Sequence, residues 1–205
     1  MNMLIKRTMI VAAITTAAAL PLGSQASDGT ITFTGAVTAS TCTISVNGGV
    51  NAGTATVALP TVDTAALTGL SAATSTAAGT FFSIGVTNCT AANDIGAAAP
   101  NGAAPTHVAI YFEAGPTVDQ ATGGLINTTG AGFSNVEVKL FNASGSTVVG
   151  TQIMPGTPTN QPTPLTVANG GTDWFYAGYA TSGAGAGGAT AGAVSTQVTY
   201  SLVYT

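Results

Sequence analysis

A period of two in the apolar residues constrains this chain more than any other feature. Its clearest run is Thr30-Ile31-Thr32-Phe33-Thr34-Gly35-Ala36-Val37. On a strand, successive side chains point to opposite faces, so Ile31, Phe33, Gly35 and Val37 form one row and the threonines and Ala36 the other. Glycine weakens a strand interior unless another backbone must come close, so Gly35 points to docking in a tight groove. An ordinary edge strand of a closed sandwich is the plainer reading of the same row. Beyond it, short apolar or alternating segments predict strands over residues 54–59, 81–89, 107–113, 136–141, 165–167, 173–180 and 194–204. No helical period follows residue 26, and the class is all-β, with enough strands for a sandwich. Gly, Ala, Asn and Pro mark loops over 91–105, 115–132, 154–164 and 182–188, and the stretch 61–79 admits a helical turn.

Residues 1–26 have the layout of a signal peptide. Lys6 and Arg7 precede an apolar run from Met9 to Leu20, followed by Pro21 and the small residues Ser24 and Ala26. The run is well short of the roughly 20 residues that span a bilayer. Cleavage after Ala26 of the 205 residues leaves 179, enough for one domain with a sizeable core, expected to be secreted and soluble. Loss of Lys6 and Arg7 leaves Lys139 alone against seven acids, a net charge of −6. Nucleic acid and anionic membranes are not expected as partners, because binding to either draws on clustered Lys and Arg.

Cys42 and Cys89 are the only cysteines. In a secreted chain a disulfide is the default, and the wide spacing and absence of nearby basic residues speak against a redox-active pair. No catalytic site is legible. His107 is the lone histidine, with no nucleophile and orienting acid marked out beside it in the sequence. The acids are scattered, without the dense oxygen ligands of a calcium loop, and the Gly183 to Gly188 stretch is low complexity instead of a phosphate loop. No metal, cofactor or enzymatic activity is expected. Trp174 beside Phe175 and Tyr176 reads as core.

The last strand carries a second row, Val198, Tyr200, Leu202 and Tyr204, opposite the polar Thr199 and Ser201 and the apolar Val203. These are either core aromatics of a closed sandwich or the edge of an uncovered groove that needs a partner in trans.

Taken in order, these segments resemble the chaperone-usher fimbrial subunits, the pilins of the type 1 and P pilus kind. The likeness spans the mature chain. It comprises an F-x-G-x-V core (Phe33, Gly35, Val37) with Cys42 shortly after it, and an F-x-I-x-V strand (Phe82, Ile84, Val86) leading to Cys89. A strand-loop-glycine unit from Val136 to Gly145 follows, then an F-x-A-x-Y-like strand in Trp174-Phe175-Tyr176-Ala177-Gly178-Tyr179. At the end stand a penultimate aromatic, Tyr204, and a glycine fourteenth from the end, Gly192.

The resemblance implies an immunoglobulin-like sandwich lacking its seventh strand, held by a Cys42–Cys89 disulfide. It divides the chain into a signal peptide (1–26), an N-terminal donor-strand extension (27–40) and a pilin domain (41–205). A periplasmic chaperone lends a strand to the groove beside residues 194–204, and at the outer-membrane usher the extension of the next subunit replaces it. Ile31, Phe33, Gly35 and Val37 are then the donor row, and Gly192, Val198, Tyr200, Leu202 and Tyr204 belong to the acceptor strand. The implied function is a structural subunit of a cell-surface fimbria, polymerising by donor-strand exchange and so supporting adhesion. The alternatives are a receptor-binding tip adhesin or secreted lectin-like module, and a secreted enzyme. Two-domain adhesins carry a receptor domain before the pilin domain, whereas here the donor row follows the cleavage site directly. The loops 91–105 and 154–164 are longer than a minimal pilin needs.

Overall fold

The alternating segments form ten strands among the residues that the computed structural model describes, which are 41–49, 53–67, 78–90, 106–129, 135–158, 160–181 and 188–205. The strands are β1 (Thr41–Val46), β2 (Gly79–Thr90), β3 (His107–Phe112), β4 (Val118–Asp119), β5 (Gly124–Ile126), β6 (Val136–Ser144), β7 (Val148–Gln152), β8 (Leu165–Thr166), β9 (Gly171–Thr181) and β10 (Tyr200–Tyr204), with one 3-10 turn at Thr64–Leu67. One sheet runs β1-β2-β9-β6-β5-β4, with β7 also paired to β6; the other runs β10-β3-β8. All pairings are antiparallel.

The sheets share one interior. Phe82 and Ile84 of β2, Val138 and Leu140 of β6 and Phe175 of β9 meet Val108, Ile110 and Phe112 of β3. Phe112 and Phe175 join the layers edge to face, ring centroids 5.2 Å apart, a geometry that suits the aromatic quadrupole. The disulfide between Cys42 and Cys89 ties β1 to β2.

Three expectations about strands change. Residues 54–59 join no ladder, and the expected strand 194–204 is a ladder strand only from Tyr200. The expected loop 115–132 contains the short antiparallel pair β4 and β5. Strands β1 and β7 were not anticipated. The expected signal peptide and donor extension lie outside the described residues.

The opposite face of the larger sheet holds an ion pair. Glu137 and Lys139, at odd positions between the inward Val136, Val138 and Leu140, are both buried, with Lys139 Nζ 3.4 Å from Glu137 Oε1. Thr122 Oγ1 donates to the other carboxylate oxygen at 3.0 Å. The contact at Oε1 is Coulombic and lacks hydrogen-bond geometry. Gly124 makes room for this carboxylate, because a Cβ there would collide with Glu137.

Asp173 is the one ionisable carboxyl on the inward row of β9. It pairs across the ladder with the core residue Ile84, and its Oδ2 is buried without a hydrogen-bond partner. Burial pushes its carboxyl from 3.8 up to about 6. The folded state therefore holds a proton that the unfolded state releases between those values, and stability falls as pH rises through that window. Asp173→Asn is expected to raise the melting temperature at pH 7 and flatten the stability profile between about pH 4 and pH 6, checked by thermal melts across that range. Cys42→Ser with Cys89→Ser is expected to cost about 4 kcal/mol, the loop-entropy value for a closure of this length, measured by urea unfolding.

Candidate functional site

An apolar groove of about 890 Å³ opens between two segments that belong to neither sheet, residues 53–59 and 194–199. Its floor is the core itself: Phe82, Ile84, Phe112, Leu125 and Leu140 all line it. At one end the Tyr200 hydroxyl donates to the Gly53 carbonyl at 2.7 Å.

Each wall is anchored from outside. Glu113 N–H donates to the Thr199 carbonyl at 2.9 Å and Thr128 N–H to the Ser195 carbonyl at 2.8 Å. Between and beyond them, Thr117 Oγ1 donates to the Gln197 carbonyl at 2.7 Å and Asn127 Nδ2 to the Ala193 carbonyl at 3.1 Å. Alternate residues are thus held on one flank, the pattern of a strand whose backbone groups point in turn to opposite neighbours. Val194, Thr196 and Val198 take no part in these bonds, and their backbone faces the other flank, where the groove lies. The second wall is fastened where Thr80 Oγ1 donates to the Ala58 carbonyl at 2.8 Å.

Val194, Val198, Tyr200, Leu202 and Tyr204 form one half-buried row against the core, while Ser195, Gln197 and Thr199 are exposed. Of the anticipated acceptor residues, Val198 and Tyr200 line the groove. Leu202 and Tyr204 continue the row past its end, opposite Ile110 and Val108 of β3. The Tyr204 hydroxyl lies 3.4 Å from Cys42 Sγ, and the final residue is fixed by reciprocal backbone bonds between Thr205 and His107. Gly192 is exposed, ahead of the wall. Ile31, Phe33, Gly35 and Val37 lie outside the described residues. Burial pushes the Tyr200 phenol up, so it is a neutral donor at ordinary pH; burial also raises Tyr204, against a smaller lowering from hydrogen bonding at Cys42.

Two features escaped the sequence. Residues 54–59 were expected to be a sheet strand and are instead, with Gly53, a wall of the groove. Thr196 stands in the inward row between Val194 and Val198, and its Oγ1 is buried with no hydrogen-bond partner among the described residues. An alternation count would have found it, as the one polar member of that row.

No family model matches the chain. The major fimbrial subunit SMF-1 of Stenotrophomonas maltophilia (strain K279a) is 36% identical over 191 residues, covering 91% of this chain and 98% of that protein. The chain belongs to the fimbrial subunits. The F17 fimbrial protein of Escherichia coli is 32% identical over 188 residues, covering 92% of this subunit and 93% of its own length. Two solved structures share the fold. The P pilus rod subunit PapA matches with a TM-score of 0.52 at 18% identity, over 80% of this subunit and all but 1% of its own chain, a 99% coverage. A chain of a chaperone-usher pilus, solved in work on rod uncoiling, matches with a TM-score of 0.54 at 22% identity, over 92% of this subunit and 100% of its own length. The fold is that of a chaperone-usher pilin, an immunoglobulin-like sandwich short of one strand, and the subunit is a structural component of a cell-surface fimbria.

Tyr200→Phe removes the bond that closes the end of the groove. The fimbrial subunit is expected to lose about 1 kcal/mol, the net worth of one such hydrogen bond, with faster amide exchange confined to residues 53–59.

Proposed function

We propose that the groove accepts an extended strand from another subunit, and that the fimbria grows by donor-strand exchange. One observation carries this reading: two segments outside any ladder flank a trough that opens directly onto the hydrophobic core. A strand laid there finds backbone partners along residues 194–198 and apolar contacts beneath. Adding a strand in this way is an established mode of recognition, in which main-chain bonds supply affinity and pockets for alternate side chains supply specificity.

The donor is the row Ile31, Phe33, Gly35 and Val37 of a second subunit. It spans seven residues, the same length as the groove-lining stretch from Val194 to Tyr200. Burying Ile31, Phe33 and Val37 yields about 5 to 9 kcal/mol before ladder bonds and ordering costs, at roughly 1.5 to 3 kcal/mol per side chain. A core left open in this way also needs protection before assembly. A periplasmic chaperone supplies it by covering the same groove, and the outer-membrane usher is where the exchange takes place. This role is mechanical and calls for no catalysis.

The test is to express the chain with its chaperone and usher and to run the extracellular material on a gel with and without boiling. A ladder of SDS-resistant oligomers that collapses to monomer on heating is expected, with filaments by electron microscopy. Gly35→Arg is expected to abolish the ladder while chaperone-bound subunit still accumulates. A normal polymer yield from that variant would refute the donor assignment.

A further inference from the structure

We infer that Asn127 is a positioning residue of the groove, its carboxamide holding the 193–195 wall extended so that the backbone of Val194 is presented to an incoming strand. This rests on the donor-strand reading above. Asn127 Nδ2 donates to the Ala193 carbonyl at 3.1 Å, and its Oδ1 accepts the Ser195 N–H at 3.0 Å. One side-chain amide thus takes the carbonyl before Val194 and the N–H after it, the two bonds that a neighbouring residue makes in a parallel ladder. The orientation of the amide is fixed, because Oδ1 also accepts the Thr129 N–H at 3.1 Å and a flipped amide would set its NH2 against two N–H donors.

The same turn completes the hold. Thr128 N–H and Oγ1 both donate to the Ser195 carbonyl, at 2.8 and 2.9 Å, and the Thr129 hydroxyl lies between Asn127 Oδ1 at 2.6 Å and the Ala193 carbonyl at 2.7 Å. Residues 127–129 follow β5 and join no ladder, so their side chains support this wall in place of a strand. Asn127 itself does not line the groove. Its effect on a donor is indirect: with Ala193 and Ser195 tied to the outer flank, Val194 is left to bond on the inner one. Ordering a backbone costs conformational entropy, and a wall already ordered spares that cost when the strand arrives.

The experiment uses the mature subunit held by its chaperone and a synthetic peptide of residues 27–39 of this chain. Release of the incorporated peptide is measured for the wild-type, Asn127→Ala and Asn127→Asp subunits, with Asn142→Ala as a control that removes two side-chain bonds away from the groove. The peptide is expected to leave Asn127→Ala roughly tenfold faster than wild type, the worth of one or two hydrogen bonds, and to leave Asn142→Ala at the wild-type rate. Asn127→Asp keeps the acceptor oxygen but sets a carboxylate against the Ala193 carbonyl, so release is fast at neutral pH. It is expected to slow toward the wild-type rate as pH falls through about 4 and the carboxyl gains the proton that restores the donor. Rates are taken relative to wild type at each pH, which removes the titration of Asp173. This profile also serves if Asn127→Ala does not accumulate. Unchanged release from Asn127→Ala, equal acceleration by Asn142→Ala, or a flat profile for Asn127→Asp overturns the role of Asn127 while leaving donor-strand exchange intact. Failure of the wild-type subunit to take up the peptide at all overturns the donor-strand reading itself.

Discussion

Everything in this subunit turns on the contact between its two sheets, where Phe112 meets Phe175 and the rows of β2, β6 and β9 close over β3. A three-stranded sheet is too narrow to cover a six-strand path. The part of the core it does not reach is the floor of the groove. The groove is thus a consequence of unequal layers: apolar side chains are in place on one side, and the strand that would cover them is not part of the described ladders. Hydrophobic burial scales with the area removed from water, so the same residues that hold the domain together leave an apolar floor open in the groove.

The polar groups placed inside this apolar frame have distinct consequences. Glu137 and Lys139 face one another on the far side of the sheet, each offsetting part of the other's desolvation. Asp173 has no such partner and instead holds a proton to higher pH than usual. Thr196 is uncharged, so its unsatisfied hydroxyl costs less than a buried charge. Glu113, Thr117, Asn127 and Thr128 hold the 193–199 wall from its outer flank by hydrogen bonds to its carbonyls.

Much of the fold was legible because a strand buried on one face must alternate. The segments around Phe82, Val108, Val138 and Phe175 lie in β2, β3, β6 and β9, and the two cysteines are bonded. Where legibility failed, the reason was that alternation reports which side a residue faces and not what lies beside the backbone. Residues 54–59 and 194–199 carry strand-like patterns, yet neither joins a ladder, because ladder membership depends on a neighbour distant in the chain. The β4 and β5 pair was hidden for the converse reason: strands of two and three residues are too short to show a period. Cys42, Ile44 and Val46 of β1 do alternate, so that strand was within reach of the pattern.

By itself the sequence determined that the chain is all-β, that it begins with a signal-like segment, that its cysteines have one possible pairing, and that rows of apolar residues stand at both ends of its expected mature part. These follow from local chemistry: side-chain alternation, a charge-poor composition, and the presence of only two thiols. Only the tertiary structure decided that residues 53–59 and 194–199 face each other across an open piece of core, that Tyr200 bridges to Gly53, and that the Thr196 hydroxyl is buried without a partner among the described residues. Each of these depends on bringing together segments more than a hundred residues apart, and no local pattern encodes that distance.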